Sequence, residues 1–206
     1  MFDIEFRHFN SRYIEPLLRP IASAFHPLAL TIMSLLSGIA SLLALYFDHL
    51  LPAVLLWILC RIFDGLDGMA ARLSNRQSDF GAYVDLIVDF LLYAALPLVI
   101  ALRSGETAYF AAAALLLGIF YCNAAVWMVS STIFEKRGMK SGAGQTSIIM
   151  PRGLVEGFET MLFNCFMLGF PQFFVPLALA MAGLTFLGAL LRFAQTVQIL
   201  LREDGI

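Results

Sequence analysis

The residues of this chain best suited to chemistry are the aspartates of one stretch, Asp64, Asp67, Asp79, Asp85 and Asp89. Asp64 and Asp67 are three positions apart and Asp85 and Asp89 four apart, so each pair shares one face of a helix. Four carboxylates drawn together cannot all stay ionised without a counter-charge, so the spacing implies protonation or cations among them. An all-oxygen donor set suits a hard divalent ion such as magnesium, which commonly pairs carboxylates with substrate phosphates. Gly65 and Gly68 flank Asp67, and Gly81 precedes Asp85 by four positions. Glycine lets another group, here a nucleotide, come close to a backbone. Arg72 could grip a phosphate through two parallel hydrogen bonds. Each feature also has a plainer reading: acids bonded within a helix bundle, glycines that let membrane helices pack, and an arginine anchored at an interface.

The elements that carry these residues read as membrane helices. Of 206 residues, 60% are hydrophobic and 14% charged, far from the balance of a soluble domain. Spans of about 20 apolar residues fall near 27–47, 50–72, 80–101, 108–133, 150–170 and 173–200. The expected fold is therefore an all-α membrane protein with six transmembrane helices. With the N-terminus inside, one side receives Arg7, Arg12, Arg19, Arg61, Arg72, Arg76, Lys136, Arg137, Lys140, Arg152, Arg192 and Arg202, and the other only Arg103. That asymmetry places both termini in the cytoplasm. Residues 1–25 alternate Phe2, Phe6, Phe9, Tyr13, Leu17 and Ile21 with Asp3, Glu5, Arg7, Arg12, Glu15 and Arg19. They predict an amphipathic helix in the membrane interface, interrupted or shortened by Pro16 and Pro20. Nothing marks a second domain, so 1–206 reads as one unit, with the interfacial helix at 1–25 and the bundle at 26–206. No cleavable signal peptide is evident. Cys60, Cys122 and Cys165 lie in apolar stretches and read as packing residues. A net charge of -2 gives no basis for a nucleic-acid partner. Asp64 to Asp89 span the second and third helices, with Asp89 about 15 Å from the start of its helix at 1.5 Å per residue. Acids at membrane depth are functional by default.

Written out, the stretch is Asp64-x-x-Asp67-Gly68-x-x-Ala71-Arg72, eight residues, then Gly81-x-x-x-Asp85-x-x-x-Asp89. It resembles the signature of the CDP-alcohol phosphatidyltransferase family at every fixed position and gap. Through Gly153-Leu154-Val155-Glu156-Gly157-Phe158-Glu159-Thr160 the chain also resembles a bacterial inner-membrane branch of that family. The resemblance implies that Asp64, Asp67 and Asp85 ligate metal, and that Asp89 joins a second ion and acts as general base. It implies two magnesium ions per site, with manganese as a substitute. Thr31, Gly68, Ala71, Arg72, Ser78 and Gly81 would line the CDP part of the donor. Members often carry Pro-Asn-x-x-Thr at the start of the first span; here the segment is Pro27-Leu28-Ala29-Leu30-Thr31, with Leu28 in place of asparagine.

The implied reaction is attack by an acceptor hydroxyl on the lipid-linked phosphorus of CDP-diacylglycerol, with CMP leaving, on the cytoplasmic face of a bacterial inner membrane. Lys136, Arg137 and Arg152 would hold a water-soluble phosphorylated acceptor such as glycerol 3-phosphate or an inositol phosphate. The alternative for these residues is topology signalling alone. Phe90-Leu91-Leu92-Tyr93 follows Asp89, which disfavours serine as acceptor. A homodimer is implied by resemblance only. Two rivals stand beside this reading: an intramembrane prenyltransferase acting on a diphosphate, and a cation transporter with an intramembrane carboxylate site.

Overall fold

The computed structural model describes residues 15–138, 155 and 157–204. Its helices are α1 (Glu15–Ala24), α2 (Pro27–Tyr46), α3 (Leu50–Leu73), α4 (Asp79–Ser104), α5 (Thr107–Lys136), α6 (Gly157–Gly169) and α7 (Phe174–Asp204), with a 3₁₀ turn, Pro171–Phe173, before α7. The described residues contain no strand.

The helix ends follow from local chemistry. Pro27 opens α2 at a position where its missing N–H costs nothing. Pro20 lies inside α1, which stays short at 10 residues. Of the interfacial helix expected at 1–25, only this C-terminal part falls within the described residues. Asn75, with φ of 51°, follows the end of α3. Ser78 caps α4, its hydroxyl accepting from the Gly81 N–H at 3.1 Å. Gly105, with φ of 71°, ends α4 by donating to the Ala101 carbonyl, a left-handed position that glycine enters without strain.

In lipid, helices gain little from hydrophobic exclusion and associate through close packing of small side chains. α2 shows this directly: Ser34, Gly38 and Ser41 are buried along one face. A Cβ on Gly38 would stand 2.6 Å from Leu92 Cδ1, so the glycine is what admits α4. Ser41 donates to the Ala53 carbonyl at 2.6 Å and ties α2 to α3. α2 packs on α3 and α4, α1 and α6 on α3, and α5 on both α4 and α7. The main core gathers Leu45 of α2, Trp57 of α3, Leu96 and Ile100 of α4, Leu116 of α5 and Met167 of α6. A smaller cluster joins Ala22 of α1, Leu30 of α2 and Leu66, Met69 and Ala70 of α3 beneath the aspartates.

Among the described residues, four segments are long and apolar enough to cross a membrane: Pro27–Tyr46, Asp79–Ser104, Thr107–Lys136 and Pro171–Asp204. The other two expected spans fall short for identifiable reasons. α3 has 24 residues but carries Arg61, Asp64, Asp67 and Arg72, so its own functional charges lower its hydropathy. α6 is described over only 13 residues.

Candidate active site

α3 and α4 form the hairpin that positions the aspartates. Asp67 sits on the buried face of α3, about 5% exposed, and accepts a hydrogen bond of 2.6 Å from Thr31 Oγ1 of α2. Thr31 is itself buried and back-bonds to the Pro27 carbonyl at 3.3 Å. Its placement against Asp67 explains why a hydroxyl is useful at the start of the first long helix: it satisfies one lone pair of a buried acid.

Asp64, one helical turn before Asp67, shares an arginine with Asp89 across the hairpin. Asp64 and Asp89 thus meet at one arginine between α3 and α4, while Asp67 turns to α2. Asp89 is held by Arg61, whose Nη1 meets Asp89 Oδ1 at 2.7 Å and stands 3.6 Å from Asp64 Oδ2. The same nitrogen donates to Tyr93 Oη at 3.0 Å.

Arg61 was counted above among the inside charges, yet its side chain is only about 6% exposed and lies midway along α3. Arg192 is likewise buried in α7 and donates to Asn123 Oδ1 of α5 at 3.0 Å. Neither is a rim charge. The signal for both was available: an arginine within an apolar run must find an acceptor, and Arg61 is three residues before Asp64 on the same face.

The donor chemistry fits a hard divalent ion, because four carboxylates are carried by the two helices of one hairpin. Among the described residues, however, no three acids are gathered at ligating distances around one point. The reason is visible in the hydrogen bonds. Asp67 is turned to Thr31 and Asp89 to Arg61, as mutually repelling carboxylates each take the nearest donor. Gathering three requires one of them to exchange its present partner for the ion.

The remaining expected residues fall around this centre. A Cβ on Gly65 would meet nothing within 4 Å, and one on Gly68 would meet only Arg72 Nη1 at 3.5 Å. Ala71 is half-buried and Arg72 exposed at the end of α3. Ser78 and Gly81 are joined by the α4 cap, so their contact with each other has a structural role. Lys136 is exposed in the last turn of α5. Arg137 Nη1 pairs with Asp204 Oδ1 of α7 at 2.9 Å, away from the carboxylate cluster in bonding terms. Arg152, Lys140 and Glu156 lie outside the described residues. Cys60 is buried beside Arg61, whereas Cys122 is exposed. An open hollow of about 370 Å³ is lined by Asp48, Arg103, Glu106, Tyr109 and Gln172. It sits at the end of the bundle opposite the α3–α4 connection and shares no residue with the cluster.

Comparison with known proteins places the chain in a family. Residues 24–191 match the family model for CDP-alcohol phosphatidyltransferase. An inner membrane protein of Escherichia coli, YnjF, is 30% identical over 175 residues, covering 82% of this chain and 83% of its own. A bifunctional IPC transferase and DIPP synthase of Aquifex aeolicus is 35% identical over 83 residues, 40% of this chain and 19% of that protein. The fold is similar to that of Mycobacterium tuberculosis phosphatidylinositol phosphate synthase, crystallised with CDP-DAG bound. The TM-score is 0.69 at 17% identity, covering 90% of this chain and 94% of that one. The family is generally dependent on divalent metal. This integral membrane chain belongs to the CDP-alcohol phosphatidyltransferase family, a class of transferases in phospholipid biosynthesis.

Proposed function

We propose that this chain transfers a phosphatidyl group from CDP-diacylglycerol to a small phosphorylated alcohol, such as glycerol 3-phosphate or an inositol phosphate, releasing CMP. The observation that carries the reading is the placement of Asp64, Asp67, Asp85 and Asp89 on one α3–α4 hairpin, with Asp64 and Asp89 drawn to the same buried arginine across it. Asp64, Asp67 and Asp85 would hold magnesium. When bound, the ion neutralises diphosphate charge and stabilises the leaving phosphate.

The chain's own residues do the rest. Gly68 and Gly81 leave the backbones of α3 and α4 approachable, and Ala71 keeps the next turn small. Arg72 stands at the end of α3 to pair with a phosphate, with Thr31 and Ser78 at the edges of the nucleotide. The acceptor oxygen attacks the phosphorus that carries the lipid, and the bond from that phosphorus to the CMP oxygen breaks. Asp89 takes the acceptor proton on Oδ2 while Arg61 holds Oδ1. Lys136, Arg137 and Arg152 orient the acceptor phosphate.

In this reading the chain is one domain of six spans, with α3 and the helix containing α6 as the second and fifth. Its termini and its site face the cytoplasm of a bacterial inner membrane. The test uses purified protein with CDP-diacylglycerol, magnesium and a panel of water-soluble alcohols. CMP release that depends on one phosphorylated alcohol supports the reading. Pyrophosphate release from a prenyl diphosphate, with no CMP under any condition, overturns it.

A further inference from the structure

The hollow at the end of the bundle opposite the α3–α4 connection is walled by charge. Asp48 comes from the α2–α3 connection, Arg103 from the last turn of α4, Glu106 and Tyr109 from the start of α5, and Gln172 from the 3₁₀ turn before α7. Arg103 places two nitrogens on one oxygen: Nε donates to Asp48 Oδ1 at 2.6 Å, and Nη2 meets the same atom. Among the described residues, Arg103 Nη1 and Asp48 Oδ2 have no partner. Glu106 is exposed at the N-cap of α5 and its side chain makes no cap bond. Tyr109 donates its hydroxyl proton to the carbonyls of Pro171 and Gln172, at 3.2 and 3.4 Å, which leaves its oxygen as an acceptor. The residues beside this wall in sequence are apolar: Phe47, Leu51, Leu102 and Phe173 are between 56% and 70% exposed. In an integral membrane chain, charge in a hollow with apolar and aromatic side chains around it marks the headgroup level.

We propose that this hollow binds the headgroup of a phospholipid with a primary ammonium, of the phosphoethanolamine type, in the leaflet opposite the aspartates. The phosphate pairs with Arg103 Nη1. The ammonium donates to the Glu106 carboxylate, Asp48 Oδ2 and Tyr109 Oη, three acceptors for its three N–H bonds. One guanidinium against two carboxylates leaves the wall with an excess of negative charge. That balance suits a headgroup whose outer end is a cation and repels one that carries only negative charge. A quaternary ammonium has no N–H to give and forgoes the three bonds. The volume of about 370 Å³ lies at the small end of ligand sites and holds a headgroup, while the acyl chains lie along Phe47, Leu51, Leu102 and Phe173. A free phosphorylated amine has no chains to bury there, so the lipid is the occupant. The site shares no residue with the aspartate hairpin's chemistry and stands independently of phosphatidyl transfer.

The test titrates full-length protein in detergent with dioleoyl phosphatidylethanolamine, phosphatidylcholine or phosphatidylglycerol and reads retained lipid by native mass spectrometry. The wild type is expected to bind phosphatidylethanolamine about fivefold more tightly than either other lipid, what one exposed ion pair supplies. Glu106→Gln should bring the three lipids within about twofold of one another, and Glu106→Lys should turn the preference to phosphatidylglycerol. Thermal unfolding without lipid should leave both variants at the wild-type midpoint, since the Glu106 side chain makes no cap bond. The wild type also carries a test alone: N,N-dimethyl phosphatidylethanolamine should bind between the ethanolamine and choline lipids. Equal retention of those two lipids by the wild type overturns the inference, as does a preference unchanged in Glu106→Gln. Competition by free phosphoethanolamine at the lipid's concentration overturns the assignment to a lipid. Each of these outcomes leaves the phosphatidyl-transfer reading standing.

Discussion

Thr31→Val removes one oxygen from the centre of the site and keeps the shape of the side chain. The lost contact is the 2.6 Å hydrogen bond from Thr31 Oγ1 to buried Asp67. A hydrogen bond to a charged group contributes about 1.5–3 kcal/mol, and the acid left behind loses a partner it cannot replace with water. A change of about 2 kcal/mol shifts the melting temperature of a chain of this size by roughly 4–8 °C. The assay is thermal unfolding in detergent with EDTA present, so that no ion compensates for Asp67. The same substitution in an Asp67→Ala background isolates the pair. There the hydroxyl keeps only its long bond to the Pro27 carbonyl, and the expected loss falls to about 0.5 kcal/mol. Adding magnesium to the single variant should recover part of the lost stability, because an ion on Asp67 takes over from the hydroxyl. Equal losses in both backgrounds would refute the reasoning, since Thr31 would then act through packing and not through the acid.

Other consequences follow from the same geometry. Asp89→Asn should keep binding of CDP-diacylglycerol and lose turnover by about 10²–10⁴-fold, the usual worth of a general base; full turnover removes Asp89 from that role. Gly38→Ala should destabilise the fold by about 1–3 kcal/mol, because its Cβ would meet Leu92 Cδ1 at 2.6 Å, and thermal unfolding reads the loss. Arg137→Gln breaks a half-exposed pair with Asp204, so stability should move by less than about 0.5 kcal/mol. The same variant should raise the acceptor KM; an unchanged KM places Arg137 outside the acceptor site.

Much of the arrangement was legible because membrane helices announce themselves. The expected bounds 27–47, 50–72 and 80–101 lie within a few residues of α2, α3 and α4, where long apolar runs end at polar connections. The carboxylate spacing was equally readable, since i,i+3 and i,i+4 fix a face once the helix is known. What hid from the sequence were partnerships across helices. Nothing in the order of residues says that Arg61 meets Asp89, 28 positions away, or that Arg192 meets Asn123, 69 positions away. Both arginines entered the topology count as rim charges, and without them the inside excess over Arg103 still stands. Ser78 shows the reverse case. A resemblance suggested a ligand contact, while the local pattern of a serine three residues before Gly81 carried a helix cap. Trp57 is fully buried in α3, and its indole N–H has no hydrogen-bond partner among the described residues.

Crystals grown with Mn²⁺ and CDP-diacylglycerol would test the central claim most directly, through the anomalous signal of the metal. The account predicts a peak bounded by oxygens of Asp64, Asp67 and Asp85 at about 2.0–2.6 Å, with the nucleotide's diphosphate completing the coordination. A metal peak elsewhere in the bundle, with Asp67 still bonded to Thr31 and Asp64 and Asp89 still paired with Arg61, would contradict it.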